Sequence, residues 1–597
     1  MLNTESEKMA ALDEMINSLE IPVGVPDPDI ETHSISGWRS EAVPADITDV
    51  TDKTELASVP TAPVSTSVLA SIPALAELEA TEFEEDGRPI IKVRRGYLKD
   101  AVRQAETYLA LSGRYFQRGG MIVEVHIDPA TGETLVHDLK APGLVYALAG
   151  VSAWKQFDKR SKTWESVDPV EKTCNVMVKV GHFDILPVLN GLTRQPYLRP
   201  DGSLCQTPGH DPVTGMYGVF SAGEFDVPEA PTREQAEQAL ALLGDLVSEF
   251  AFASPHDRSA ALAAMLTAAI RPSLPMAPMF HVRAPQIASG KSYLCALITA
   301  LATPQLGSPV AFPGRDEEMT KLLLAQLVSS PAVIEFDNLT DDIKPHKSLC
   351  SALTGERMKG RILGHSKMME VGTRTLFLCS GNNVGPAADM TRRCVTIHLD
   401  PGCEVPAARE FVRPDLINDV RRDRCKYVAA ALTVVRAWIG AGRPHSPGKP
   451  LANFGDWSDL CCQPLLWLDQ PDPMKSVFDG MAFDPDQLML GQFLAAWHEQ
   501  FGEDAKMVRV AIERTRTGHA GAEEFADVLL DITGDRDNIN ARKLGKWINR
   551  HAGQVVTGFR IVKAPKTRNA ENWRVESVTS VESVSEPSVA KTGTTVE

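Results

Sequence analysis

Pro285-Gln-Ile-Ala-Ser-Gly-Lys-Ser292 stands between two apolar runs, Pro278-Met-Phe-His-Val-Arg283 and Ser292-Tyr-Leu-Cys-Ala-Leu-Ile-Thr-Ala-Leu301. The first run reads as a buried strand and the second as a helix. A loop passing from a strand into a helix N-terminus presents backbone N–H groups and a positive dipole end, which suits phosphate oxygens. In the pattern Gly-x-x-x-x-Gly-Lys-Ser/Thr, the Lys reaches the β- and γ-phosphates and the hydroxyl holds Mg²⁺. Gly290, Lys291 and Ser292 fit that pattern, whereas Pro285 occupies the place of the first Gly. Pro285, Gln286, Ile287, Ala288, Ser289, Gly290, Lys291 and Ser292 together form the candidate ATP-binding loop. The other reading of this tripeptide is a surface Lys at a strand–helix turn.

Three further stretches follow in order. Ala332-Val-Ile-Glu-Phe-Asp-Asn338 is an apolar run ending in acid, and Asp337 with Ser292 is the candidate Mg²⁺ pair. Asn338 stands where many such ATPases carry a glutamate that polarises water; an amide orients water but cannot take its proton. Glu335 shares the strand face of Asp337 and is the nearest alternative base. It reads equally as a strand-end acid paired with a Lys. Thr375-Leu-Phe-Leu-Cys-Ser-Gly-Asn-Asn383 is a second apolar run, and its Asn382 is a candidate polar sensor. Asp389-Met-Thr-Arg-Arg393 then offers Arg392 and Arg393, one of which suits an arginine finger acting across a subunit interface. The alternative is an ion pair between Asp389 and Arg393, four residues apart.

The chain has 597 residues and a net charge of −17. Residues 1–86 hold 19 Asp/Glu and 3 Lys/Arg, so the remaining chain, with 58 basic and 59 acidic groups, is about neutral. The acidity therefore does not exclude a nucleic-acid partner. Residues 1–87 read as a disordered acidic tail, rich in Pro, Thr, Ser and Ala; a short amphipathic start, Met9–Leu19, suits docking on replication proteins or is merely transient helix, the commoner case. The ten cysteines lack metal-ligand spacing, which points to a reduced intracellular chain. No secretion signal or spanning apolar run is apparent, so the expected location is the cytoplasm, away from membranes.

Residues 88–231 mix helical and strand patterns, as in Leu98–Leu109 and Gly120–His126, and predict an α+β domain. Arg94, Arg95, Arg114 and Arg118 in it suit phosphate contact or simple solvation. Thr232 and Gln235 predict a capping box opening a helix over 233–252, and 257–270 reads as a buried helix; 232–275 is thus a helical linker. Residues 276–402 form the expected α/β core, with continuous apolar strands of a parallel sheet and an amphipathic helix over 316–328. Gly360–Val371 reads as a hairpin whose tip carries His365 and Lys367, placed to hold a nucleic-acid phosphate or to face solvent. Residues 403–519 read as helical. In 520–577 the helix Ala541–Arg550 turns Leu544, Trp547 and Ile548 inward and exposes Arg542, Lys543, Lys546 and Arg550. Two strand patterns flanking a basic loop follow it. Ten Lys/Arg against two acids between Arg536 and Val575 make this a winged helix suited to duplex DNA, or to protein docking. Residues 578–597 complete the chain as a disordered tail.

With those residues in view, the chain resembles phage and mobile-element replication helicases of the AAA+, superfamily 3-like kind, a primase–helicase family here lacking the primase part. The resemblance runs from about Arg94 to Glu576. It is carried by Tyr115-Phe-Gln-Arg-Gly-Gly120, Leu198-Arg-Pro-Asp-Gly202, Leu353-Thr-Gly-Glu356, Gly381-Asn-Asn383 with Arg392-Arg393, and Phe454-Gly-Asp-Trp457 with Leu466-Trp-Leu-Asp-Gln-Pro-Asp-Pro473. It implies an AAA+ P-loop core, ATP and Mg²⁺ as cofactors, and DNA unwinding by a homo-oligomeric, hexamer-like ring. Lys291, Ser292, Asp337, Asn382 and Arg392 or Arg393 would take the roles above. A nucleotide-switched DNA-binding regulator or helicase loader that does not translocate is the other function these residues allow.

Overall fold

The computed structural model describes residues 81–578, apart from 130, 362–367, 404–405, 407–408, 410, 449, 452, 483–484, 534–537 and 568–569. The acidic tail (from residue 81 only its end is described), the hairpin tip with His365 and Lys367, and residues 579–597 lie outside the described residues. No helix among the described residues is long and apolar enough to cross a membrane.

Alternation and helical periodicity in the first region produce β1 (Ile90–Val93), α1 (Leu98–Leu111), β2 (Tyr115–Arg118), β3 (Met121–Ile127), β4 (Thr134–Asp138), α2 (Ala141–Val151), β5 (Ala153–Phe157), β6 (Trp164–Val167) and α3 (Glu171–Val180). They form two small sheets, β1-β5-β6 and β2-β3-β4. Ile91, Tyr108, Leu109, Leu148, Trp154 and Met177 fill the core between the first sheet and the three helices.

Next comes α4 (Arg233–Leu246), whose Thr232 cap accepts from the Gln235 N–H while Gln235 accepts from the Thr232 N–H, the expected capping box. The helix ends at Leu246, short of the expected residue 252. Tertiary pairing outcompetes helix here: the Ala253 N–H reaches the His398 carbonyl and the Asp400 N–H reaches that of Ala251. The helix α5 (Pro255–Ile270) is buried over almost its whole length, as its Ala and Leu content predicts.

The α/β core comprises β7 (Met279–Ala284), α6 (Lys291–Ala302), α7 (Asp316–Val328), β8 (Val333–Leu339), α8 (Lys347–Thr354), the hairpin β9 (Arg357–Arg361) and β10 (Met368–Gly372), β11 (Leu376–Asn382) and β12 (Cys394–His398). Its sheet runs β8-β11-β7-β12, with every pair parallel. Parallel strands need crossover connections, mostly helical here, and burial on both faces explains their unbroken apolar runs. The order brings the C-terminal ends of β7, β8 and β11 to one edge. The helix α9 (Arg424–Gly440) packs nearby, its Trp438, Val428, Leu432 and Val435 fully buried.

Buried arginines join the first region to this core. Arg118 is 5% exposed, against the expectation of phosphate contact or solvation. It donates to the Val328 carbonyl at 2.8 Å, the Leu327 carbonyl at 3.1 Å and the Ser330 hydroxyl, satisfying carbonyls at the end of α7. Arg424 reaches the Arg194 and Leu301 carbonyls, at 3.0 and 2.9 Å. Burial lowers both arginines to about 10, still well above neutral pH. The described residues up to Met474, apart from 343–345 and 386–392, accordingly make one compact unit.

The second unit contains α10 (Pro485–Phe501), β13 (Lys506–Met507), α11 (Val508–Arg514), α12 (Ala522–Thr533), α13 (Ala541–His551), β14 (Val555–Val556), β15 (Phe559–Thr567) and β16 (Ala570–Ser577). The strands form the antiparallel order β13-β16-β15-β14. Leu490, Phe493, Leu494 and Trp497 of α10 share one core with Phe525, Leu529, Leu544, Ile548, Ile561, Trp573 and Val575. That core extends well before residue 520, because α10 supplies Phe493 and Trp497 to it.

Candidate active site

Loop, acid and amides meet at the C-terminal edge of the parallel sheet. The loop after β7 turns through left-handed backbone at Ala288 (φ 59°) and Gly290 (φ 89°). Such conformations favour glycine, and Gly290 immediately precedes the first turn of α6. The Ser289 hydroxyl closes the loop on the Gln286 carbonyl at 2.7 Å.

The Lys291 side chain curls back beneath this loop. Its ammonium donates to Asn382 Oδ1 at 2.6 Å and to the Gln286 carbonyl at 3.2 Å. Burial lowers its pKa, an effect opposed by the charge of Asp337. The next residue, Ser292, donates its hydroxyl to Asp337 Oδ1 at 3.1 Å. The candidate Mg²⁺ pair is thus in direct contact, and Lys291 and Asn382, 91 residues apart, are in contact as well. Asn383 donates its side-chain amide to the Pro285 carbonyl at 3.1 Å, tying the end of β11 to the start of the loop.

Ser380, which sequence reasoning passed over, belongs to this group. Its hydroxyl donates to the same Asp337 oxygen as Ser292 and accepts from the Asn338 N–H at 3.4 Å. The readable signal was a hydroxyl in an otherwise apolar strand, two residues before Asn382 and on the same face.

Asn338 is exposed, at φ 54°, within a bulge that shifts the β8–β11 register between Phe336 and Leu339. Glu335 is 6% exposed and points deeper. A Cβ added to Gly307 would lie 3.4 Å from its Oε2 and 3.5 Å from the Thr299 methyl. Thr299 lies two helical turns beyond Lys291. Burial first, and the charge of Asp337 second, push the Glu335 carboxyl up to about 7. The alternative of a Glu335–Lys ion pair finds no such pair among the described residues.

The two arginines differ. Arg392 is half exposed, and its Nε donates to Asp389 Oδ1 at 2.6 Å. Arg393 is buried. Arg392 pairs with Asp389 from three positions on, after a 3₁₀ turn at Ala388–Met390. In the second unit, Arg542, Lys543, Lys546 and Arg550 all lie on the exposed face of α13. Lys543 spends one donor on the Thr533 carbonyl at 3.1 Å.

The donor set fits a nucleotide triphosphate with a divalent cation. A loop of backbone N–H groups opens a helix, an ammonium lies beneath it, and a hydroxyl and a carboxylate stand side by side. Phosphate oxygens could take over the contact Lys291 now makes to Gln286.

No family model and no curated protein matches this chain. Among solved structures, the apo A form of the NrS-1 C-terminal region shares 10% identity over 76% of this chain and 96% of its own, at a TM-score of 0.30. A second structure of that region gives 11% over the same shares, at 0.32. JCV helicase bound to a thiazolopyridine phenoxyphenyl acetamide gives 13% over 40% of this chain and 67% of its own, at 0.19.

Proposed function

We propose that the chain hydrolyses ATP with Mg²⁺ and couples hydrolysis to DNA unwinding, as an oligomeric helicase or replication initiator of a phage or mobile element. One observation carries this reading: Lys291 meets Asn382 while Ser292 meets Asp337, at the mouth of a loop opening α6. Phosphoryl transfer is mostly positioning and charge stabilisation. Lys291 would neutralise the β- and γ-phosphates, Ser292 and Asp337 would hold Mg²⁺, and Ser380 would fix the carboxylate. Asn382 would hold Lys291 and sense the γ-phosphate, and Arg392, with its exposed guanidinium, is the better candidate finger of the two arginines. The three helices and antiparallel strands around α13 support the winged-helix reading of the second unit.

Asn338 favours a second reading, a nucleotide-switched loader or regulator. It stands next to Asp337 with no proton-accepting group, which suits slow hydrolysis.

The test combines DNA-stimulated ATP hydrolysis with strand displacement, comparing the wild type and Lys291→Ala. Removing an electrostatic stabiliser of this kind costs about a hundredfold or more in turnover. Lys291→Ala should therefore abolish both activities while leaving the fold intact. Turnover within twofold of wild type would overturn the nucleotide site; hydrolysis without strand displacement would favour the loader.

A further inference from the structure

The sheet β1-β5-β6 carries a surface that the nucleotide site does not use. Its register places Lys92 opposite Lys155, and Phe157 opposite Trp164. Directly paired residues share a face. The other face turns Ile91 and Trp154 into the core, so these four side chains lie on the outer one. Trp164 is held there by the Arg94 guanidinium 5.6 Å from its ring centre and the Lys92 ammonium at 5.5 Å. Its ring meets Phe157 edge-on, centroids 5.6 Å apart, and Phe157 is 44% exposed. An apolar ring braced by a second ring and left open to water is a preorganised stacking surface.

The β5–β6 turn, Asp158-Lys-Arg-Ser-Lys-Thr163, supplies the charge. Its one carboxylate is consumed locally: Asp158 accepts from the Ser161 N–H at 2.9 Å and the Ser161 hydroxyl at 3.0 Å, and these bonds hold it below the usual carboxylate range. Lys159, Arg160 and Lys162 are exposed, and no carboxylate pairs with them among the described residues. Residues 92–97 and 155–164 together hold seven Lys/Arg and one acid, in a chain of net charge −17. Lys92 and Lys155 already pair with Glu82 and Glu84, so the free charge resides at the turn and Arg94.

We infer that this face binds single-stranded DNA, stacking an unpaired base on Phe157 while Lys159, Arg160 and Lys162 contact the backbone. An exposed ring beside cations suits an unpaired strand, whose bases offer π-faces and whose phosphates offer charge. Paired bases in a duplex have no free face for Phe157. The choice of DNA over RNA rests on the proposed function; the site itself does not.

The experiment uses the full chain with α13 neutralised (Arg542→Ser, Lys546→Ser, Arg550→Ser), which lowers the background from that helix. Affinity for a labelled oligothymidylate of about 20 nucleotides is measured by anisotropy over a salt series. Lys159→Ser, Arg160→Ser and Lys162→Ser combined should weaken binding tenfold or more at low salt. They should also flatten the log–log salt slope by about 2, at about 0.7 for each phosphate no longer neutralised. Phe157→Ala should weaken binding by roughly five- to a hundredfold with the slope unchanged, as removal of one stacking partner implies; Phe157→Tyr should restore it. Wild-type affinity in both variants overturns the proposal and leaves the face to an acidic protein segment. Equal losses on a duplex of the same length overturn the stacking, and tighter binding of oligouridylate overturns the assignment to DNA. Lys291→Ala should leave this binding unchanged, so failure of the nucleotide site and failure of this face are read separately.

Discussion

Replacing Glu335 with Gln tests the geometry of the acid strand through stability and turnover together. In the fold the carboxyl is pushed up from 4.5 to about 7, chiefly by burial. Below pH 4.5 it is protonated in both folded and unfolded chains and contributes nothing. Between pH 4.5 and 7 the folded chain holds a proton that the unfolded chain has lost, so stability falls as pH rises. Above pH 7 the penalty is complete. A separation of about 2.5 pH units, at about 1.4 kcal/mol each, makes that penalty about 3 kcal/mol. Little solvent discount applies to a side chain 6% exposed.

Glutamine keeps the shape and removes the charge, at a cost of about 1 kcal/mol for burying an amide without a ready partner. Glu335→Gln should therefore be more stable than wild type by about 2 kcal/mol at pH 8 and about equal to it at pH 5, where the wild type still bears a penalty of only about 1 kcal/mol. Thermal melts should show an advantage of roughly 2–5 °C at pH 8 that vanishes at pH 5. A pH-independent offset would refute the buried, proton-holding carboxyl. The same protein answers a chemical question. With its carboxylate beside Gly307, deep along α6, Glu335 should serve the core, and Glu335→Gln should hydrolyse ATP within about fivefold of wild type. A loss of a hundredfold or more, the size expected of a missing general base, would make Glu335 that base.

Two further outcomes are expected from other parts of the chain. Arg392→Ala should bind nucleotide normally yet hydrolyse it poorly, and mixing it with Lys291→Ala should recover partial activity, since a shared interface can join an intact Lys291 to an intact Arg392. Mixtures without recovery, with wild-type turnover independent of protein concentration, would leave Arg392 as the ion-pair partner of Asp389. On duplex DNA, Arg542→Ser with Lys546→Ser and Arg550→Ser should weaken binding and flatten the salt slope by about 0.9 for each phosphate no longer neutralised; an unchanged slope would assign α13 to protein docking.

What the sequence makes legible here is what local interactions determine. The helix Asp316–Val328 has the expected bounds because periodicity and an acidic first turn specify it. The Thr232–Gln235 box is equally local. Contacts between distant segments were readable only where a motif linked them, as for Ser292 and Asp337. Arg118 is an arginine beside a turn in sequence, and only folding brings it to carbonyls some 210 residues away. The four large side chains of α10 read as one more helix until the strands after α13 close over them.

Asn338 is legible in a different sense. Read as chemistry, it is an amide where an acid belongs. Read as backbone, it is the residue at φ 54° where β8 bulges away from β11. Left-handed backbone costs an ordinary L-residue about 1–2 kcal/mol, and Asn is among the few non-glycine types that adopt it readily. The bulge also turns the Asn338 N–H onto Ser380, whose hydroxyl in turn donates to Asp337. The residue type thus follows from the conformation that orients Asp337, and a glutamate substituted at this position would have to strain the same turn that holds the Asp337 carboxylate in place.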